Sequence, residues 1–204
     1  MANPGQEARI GRVHRKTRET DVEVIFGLDG SGVASIATGV GFLDHMLDSL
    51  ARHGLFDLDV RASGDLHVDD HHTVEDVAIA LGQALHDAVG EGRGIRRMGH
   101  AIVPLDEALA MVALDVSGRG VSDIDIRLDG PLVGGMKVQM VPHFFQSFAM
   151  EAKVSLHAQV LKGINDHHRV EACFKALAKA LDWATQIDDR AAGQIPSTKG
   201  TLES

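Results

Sequence analysis

A sixteen-residue block that occurs twice constrains this chain more than any other feature. The first copy spans residues 70–85, the second spans residues 166–181, 96 positions later, and they agree at nine of sixteen positions. Each copy opens with Asp-His-His-x-Val-Glu, which places metal-binding residue types at helical spacing. The repeat predicts a fold of two similar halves, and a duplicated metal site is the leading explanation of its histidines.

Strand-like and helix-like patterns recur in the same order in both halves. Each half has two strand-like segments, a helix-like run that begins with histidine, a third strand-like segment and then the block. The segments before each block are 22–26, 34–38, 45–51 and 58–61 in the first half and 111–117, 124–128, 143–149 and 154–158 in the second. This order predicts an α+β fold of two β-β-α-β-α halves, each a small sheet backed by helices.

Glycine-rich segments mark the predicted boundaries and turns. The seam is predicted near 91–97, which divides the chain into a first half at 9–93, a second half at 94–190 and a tail at 191–204, together one domain. Asp29-Gly30-Ser31-Gly32 predicts a hairpin between the first two strand-like segments, since glycine readily adopts positive φ. The tail loses helical periodicity, so a frayed terminus and a segment that closes over substrate both stay open.

Charge, hydropathy and cysteine content limit the binding partners and the cellular compartment that can be expected for this chain. The formal net charge of −9 argues against nucleic-acid binding, which usually needs a basic face. No apolar run approaches the roughly 20 residues that cross a bilayer, so no membrane partner is expected. Cys173 is the single cysteine, which rules out a disulfide within the chain and favours a reducing cytoplasm.

Helical spacing sorts the repeated histidines into two sets. Residues four apart share a helix face, whereas adjacent residues diverge by about 100°. His71 and Glu75 can therefore reach one ion together while His72 points elsewhere. The same spacing pairs His167 with Glu171 and turns His168 away, so each helix offers two ligands to one ion and one ligand to another.

If the halves, or two copies of the chain, face each other, the remaining histidine of one helix can complete the other helix's site. The histidines that open the upstream helix-like runs would each add a ligand. One site would then contain His45, His72, His167 and Glu171, and the other would contain His71, Glu75, His143 and His168. Three imidazoles and one carboxylate suit Mn, Fe, Co or Zn, and open coordination positions for substrate favour Mn or Fe over structural Zn.

Four motifs carry a resemblance to a known family. They are GFLDHML at 41–47, ARHG at 51–54, DDHHTVED at 69–76 and HHRVEACFK at 167–175. These segments resemble the signatures of imidazoleglycerol-phosphate dehydratase from histidine biosynthesis, in its monofunctional form. The resemblance covers about 9–200 and has no departure at a ligand position.

The resemblance implies a fold, a cofactor and an assembly. The fold would have four-stranded sheets backed by helices, as in the second domain of a small-subunit ribosomal protein. The family is a homo-oligomer of 24 chains that uses Mn²⁺, two ions per chain, at subunit interfaces. Besides the eight ligand residues, the implied substrate contacts are Glu19, His53, Arg97, Arg119, Lys175, Ser197 and Lys199.

The implied reaction removes water from imidazole-glycerol 3-phosphate to give imidazole-acetol phosphate through a metal-bound imidazolate. A basic cluster would hold the phosphate: Arg97, Arg119, Lys175 and Lys199, with Ser197 as a hydroxyl donor. Glu171 or Glu75 is the hypothesised acid and base, and Glu19 is the rival. His53 would assist departure of the hydroxyl. A metal-storage assembly and a metal hydrolase are the alternatives, and neither needs the full set of motifs.

Overall fold

The computed structural model describes residues 8–191 and 193–202. The first half contains strands β1 (Ile10–Lys16), β2 (Thr20–Gly27) and β3 (Ala34–Ala37), helix α1 (Gly41–Gly54), strand β4 (Asp57–Gly64) and helix α2 (His71–Val89). The second half contains β5 (Met98–Leu105), β6 (Ala108–Asp115), β7 (Val121–Asp125), β8 (Leu132–Val133), β9 (Met136–Lys137), α3 (Met140–Glu151), β10 (Ser155–Lys162) and α4 (Asp166–Thr185). Among these helices, none combines the length and the apolar character needed to cross a membrane.

The two halves have the same sheet topology, which confirms the duplicated α+β fold. The strand orders are β1-β2-β4-β3 and β5-β6-β10-β7, and in each sheet only the last pair is parallel. Each half begins with one strand more than the sequence pattern indicated, and this strand completes the four. The exposed alternate positions of β1 are charged or polar, apart from Ile10, and only Gly11 on it is fully buried, so its apolar periodicity is weak.

The predicted hairpin at residues 29–32 is wrong. β2 pairs with β1 and β4, while β3 pairs in parallel with the far side of β4. The Asp57 carboxylate accepts the N–H groups of Ser31, at 2.8 Å, and Val33, at 3.0 Å. These bonds fold the connection over the start of β4 and carry the chain to the far side of that strand.

Each long helix covers the sheet of its own half and also packs against the short helix of the other half. α2 covers β1 and β2, and α4 covers β5 and β6. The short helices pack across the molecule: α1 lies against α4, and α3 lies against α2. The shared core contains Leu43, Leu47, Phe145 and Phe174, all essentially inaccessible to solvent. Each long helix therefore lies beside the short helix of the other half, which decides which histidines meet.

A glycine in the first strand of each half lets a long helix approach the sheet closely. A Cβ atom at Gly11 would overlap the carbonyl oxygen of Ala84, and one at Gly99 would overlap that of Ala180. We expect Gly99→Ala to lower the free energy of unfolding by about 3 kcal/mol, because helix and strand backbones must separate. Gly27→Ala, where the added Cβ finds ordinary contacts, is the control. Thermal unfolding measures both, and equal midpoints would contradict the expectation.

Candidate metal centres and anion pocket

The first candidate metal centre joins helices α1 and α4. His45, His167 and Glu171 each offer a ligand atom, and these atoms lie within 4.8 Å of one another. The Glu171 Oε2 atom is 3.5 Å from His45 Nε2 and 3.2 Å from His167 Nε2. The i, i+4 pair on α4 thus converges with a histidine that only the cross-half packing brings near.

The second candidate centre joins helices α2 and α3 in the equivalent way. His71, Glu75 and His143 also place their ligand atoms within 4.8 Å of one another. His143 Nε2 is 3.1 Å from Glu75 Oε1, and the rings of His71 and His143 lie 5.0 Å apart. Two imidazoles and one carboxylate on a partly exposed surface fit a divalent ion that keeps open coordination positions.

His72 and His168 lie outside both clusters of their own chain, and each is held by a carboxylate. His72 Nδ1 is 3.0 Å from Asp65 Oδ2, and His168 Nδ1 is 2.8 Å from Glu107 Oε2. These hydrogen bonds are the main reason that the pKa of each histidine is raised. The bond from His168, with further bonds from the backbone N–H groups of Asn165 and Ile164, lowers the pKa of Glu107 to about 2. A carboxylate on Nδ1 leaves Nε2 available to a metal ion, as is usual for metal-ligating histidines.

Acidic side chains from the first turn of each half also approach these two histidines. Glu19, in the turn between β1 and β2, is 3.8 Å from His72. Asp106 and Glu107 lie in the equivalent turn of the second half and both approach His168. Asp65 was missed, because it lies outside the repeat and no spacing relates it to His72.

The two clusters differ in their surroundings. Lys175 Nζ lies 2.7 Å from Glu171 Oε1, whereas residue 79, the matching position of the first block, is an isoleucine. Burial opposes ionisation of Glu171, but Lys175, His45 and His167 together more than offset it, so the pKa of Glu171 is lowered. Burial, with Lys175 and Lys179 nearby, lowers the pKa of His53 and favours its neutral form. His53 therefore shares its surroundings with the first cluster and not with the second.

A separate basic pocket of about 130 Å³ lies between the second sheet and the tail. The predicted phosphate contacts Arg97, Arg119, Ser197 and Lys199 line it. The Arg97 guanidinium makes paired bonds to the Asp115 carboxylate, at 2.7 and 3.0 Å, and donates to the carbonyl oxygen of Pro196 at 2.8 Å. Arg97 thus holds the tail in place while contributing charge to the pocket.

Within one chain, this pocket is far from the first metal centre. The Arg97 N–H donates to the carbonyl of Ala184 near the end of α4, whereas His167 lies at its beginning. Seventeen residues of helix correspond to about 25 Å. Lys175 lies on the third turn of α4, one turn after Glu171, so within one chain it is separated from the other predicted phosphate contacts.

The fold and these sites define a duplicated α+β protein with two histidine–carboxylate clusters suited to divalent metals and a small anion pocket. The family model of imidazoleglycerol-phosphate dehydratase matches residues 38–181. The enzyme of that name from a Roseiflexus species is 56% identical over 95% of this chain and 98% of its own. The one from Albidiferax ferrireducens is 56% identical over 96% of each chain.

The solved structures that this chain resembles are of the same enzyme family as its sequence relatives. The imidazoleglycerol-phosphate dehydratase of Staphylococcus aureus superposes with a TM-score of 0.79 at 33% identity, covering 88% of this chain and 99% of its own. The Pyrococcus furiosus protein gives 0.79 at 34% identity, with coverage of 92% and 99%. The chain belongs to the imidazoleglycerol-phosphate dehydratase family, hydro-lyases of histidine biosynthesis. The metal-storage and metal-hydrolase alternatives are thereby set aside.

Proposed function

We propose that this chain converts imidazole-glycerol 3-phosphate to imidazole-acetol phosphate and water with two Mn²⁺ ions per chain, in a reducing cytoplasm. The observation that carries the proposal is the pair of clusters that each gather two histidines and a glutamate within 4.8 Å. When bound, the ions would supply Lewis-acid stabilisation of negative charge on the imidazole ring of the substrate. Such charge helps the hydroxyl on the adjacent carbon to leave.

The fourth ligand of each cluster would come from another chain. His72 and His168 are oriented by carboxylates and do not join a cluster of their own chain. A neighbouring copy could place its His72 beside His45, His167 and Glu171, and its His168 beside the other cluster. The metal ions would then lie at interfaces of a homo-oligomer, for which the family resemblance suggests 24 chains.

Substrate binding would also join two chains. The substrate is a short molecule, whereas about 25 Å separates the anion pocket from the first cluster along α4. The phosphate would be held by Arg97, Arg119, Ser197 and Lys199 of one chain and the ring by clusters of its neighbour. Lys175 and His53, beside the ring, would act near the departing hydroxyl rather than at the phosphate.

We assign proton transfer to Glu19. The reaction breaks the C–O bond next to the ring and removes a proton from the neighbouring carbon, and the resulting enol becomes the ketone. Glu171 already contacts two histidines and Lys175, and Glu75 contacts His143. Glu19 is 57% exposed and 3.8 Å from His72, so its carboxylate is available to take the carbon-bound proton.

Glu19→Gln tests this assignment. We expect turnover to fall by about 100-fold or more, because the amide cannot accept the proton, while two Mn²⁺ ions still bind. Glu23→Gln, on the exposed face of β2, is a control of the same chemistry. Product ketone followed by NMR gives the rate, and metal analysis gives the occupancy. Wild-type turnover by Glu19→Gln would contradict the assignment.

A further inference from the structure

The second half contains a connection that the first half lacks. Residues 38–40 suffice to join β3 to α1, whereas residues 126–139 join β7 to α3. We call residues 126–139 the bridging segment; it includes the β8–β9 hairpin. Because the first half forms the same sheet topology without such a segment, the shared fold does not require it.

One end of the bridging segment is attached to the start of α4. The Asp166 carboxylate accepts the N–H groups of Asp129, at 3.0 Å, and Gly130, at 2.8 Å. Arg169 Nη1 pairs with Asp129 at 2.7 Å and also with Asp166. Asp166 immediately precedes His167 and His168, so this attachment orients the turn that presents both histidines.

The other end is attached to the start of α2 through the matching residue of the repeat. The N–H of Lys137 donates to the Asp70 carboxylate at 2.7 Å, and its Nζ pairs with Asp69 at 2.7 Å. Asp70 immediately precedes His71 and His72. Asp70 and Asp166, which open the two copies of the block, thus hold opposite ends of the bridging segment.

The middle of the bridging segment rests on α1 and leads into α3. Gly134 and Gly135 have φ of +55° and +87°, and a Cβ at Gly134 would overlap the Phe42 ring. Phe42 in turn packs edge-on against the His167 ring, with centroids 5.2 Å apart. α3 begins at Met140, so its first turn carries His143 directly after the bridging segment.

We propose that the bridging segment is a positioning device that holds the four ligand-bearing helices in one arrangement and couples the two metal centres. Lys137, Asp129, Asp70 and Asp166 are its positioning residues. They contact the turns that present the ligands and do not themselves reach a cluster. The inference rests on the proposed metal sites, whose affinity depends on how well their ligands are oriented.

Lys137→Met tests the coupling in full-length protein. The Lys137 side chain is partly exposed and pairs only across the two halves, so the variant should fold. We expect its Mn²⁺ affinity to fall about tenfold, because orienting contacts outside the ligand set commonly contribute this much. Asp69→Asn removes the same ion pair and should match it, while Lys137→Arg should restore affinity. Arg127→Met is the control, because Arg127 lies in the same segment but is 88% exposed and pairs only with Asp125.

Electron paramagnetic resonance of free Mn²⁺ gives the number and affinity of sites. Wild-type affinity in Lys137→Met would overturn the coupling and leave the proposed function intact. An absence of Mn²⁺ binding by the wild-type chain would overturn the metal sites and this inference together. Hydrogen exchange of metal-free Lys137→Met supplies a second readout: exchange should rise at 166–169 as well as at 70–73. A rise at 70–73 alone would show a local contact and overturn the bridging role.

Discussion

Removal of metal by a chelator should lower the conversion of imidazole-glycerol phosphate by about a thousandfold, and added Mn²⁺ should restore it. Lewis-acid stabilisation of developing charge contributes several kcal/mol, and each 1.4 kcal/mol corresponds to a factor of ten in rate. The two clusters of His45, His167 and Glu171 and of His71, Glu75 and His143 are where that charge would be stabilised. Product formation is followed by NMR before and after dialysis, with Mg²⁺ and Ca²⁺ as comparison ions.

The same treatment should reduce the particle size measured by light scattering. Each ion would join the cluster of one chain to His72 or His168 of another, so binding energy contributes to assembly. Particles that keep their size in chelator would contradict interface metals. Full turnover by thoroughly stripped protein would contradict the Mn²⁺ requirement itself.

Two inactive variants should restore activity to each other when they assemble together. Glu171→Gln impairs the first cluster, and Arg119→Met impairs the anion pocket. Each alone should lose about 100-fold in kcat/KM, since a charge-assisted contact contributes about 1.5–3 kcal/mol. Because the cluster and pocket of one chain lie about 25 Å apart along α4, they would serve different active sites.

Co-expression of the two variants with different affinity tags, followed by tandem purification, gives the mixed particles. With random assembly, about a quarter of the sites combine an intact cluster with an intact pocket, so about a quarter of the wild-type kcat/KM should return. Co-expression of Arg119→Met with the Glu171→Gln, Arg119→Met double variant provides no intact pocket and is the control. Mixed particles as inactive as this control would show that each site lies within one chain.

The repeat and the helix period explain why the duplication and the histidine–glutamate pairs could be predicted from sequence. The i, i+4 spacing of His71 with Glu75 and of His167 with Glu171 places each pair on one helix face, and both pairs converge in the structure. Adjacent residues on a helix diverge by about 100°, which explains why His72 and His168 point away from the clusters of their own chain. These statements need only the helix period, which the sequence itself carries.

Other features depend on contacts between distant segments, so no local pattern predicted them. The hairpin at residues 29–32 was wrong because Asp57, 26 residues from Ser31, directs that connection across β4. The first strand of each half was missed because the one fully buried residue on it is a glycine, Gly11 on β1 and Gly99 on β5, so no strong apolar alternation marks it. The resemblance implied that Lys175 is a substrate contact, and its charge placed it with the phosphate contacts, but only the structure shows that it lies 2.7 Å from Glu171.

The sequence by itself determined that two similar halves exist, that each presents a histidine–glutamate pair on a helix, and which family the chain resembles. It also grouped His45 and His143 with the pairs of the opposite halves, but left open whether one chain or two copies would bring them together. Only the tertiary structure decided that α1 packs on α4 and α3 on α2, so that both histidines join those pairs within one chain. It alone revealed the attachment of residues 126–139 to Asp70 and Asp166. Periodicity is a property of neighbouring residues, whereas packing partners are chosen by the burial of whole faces.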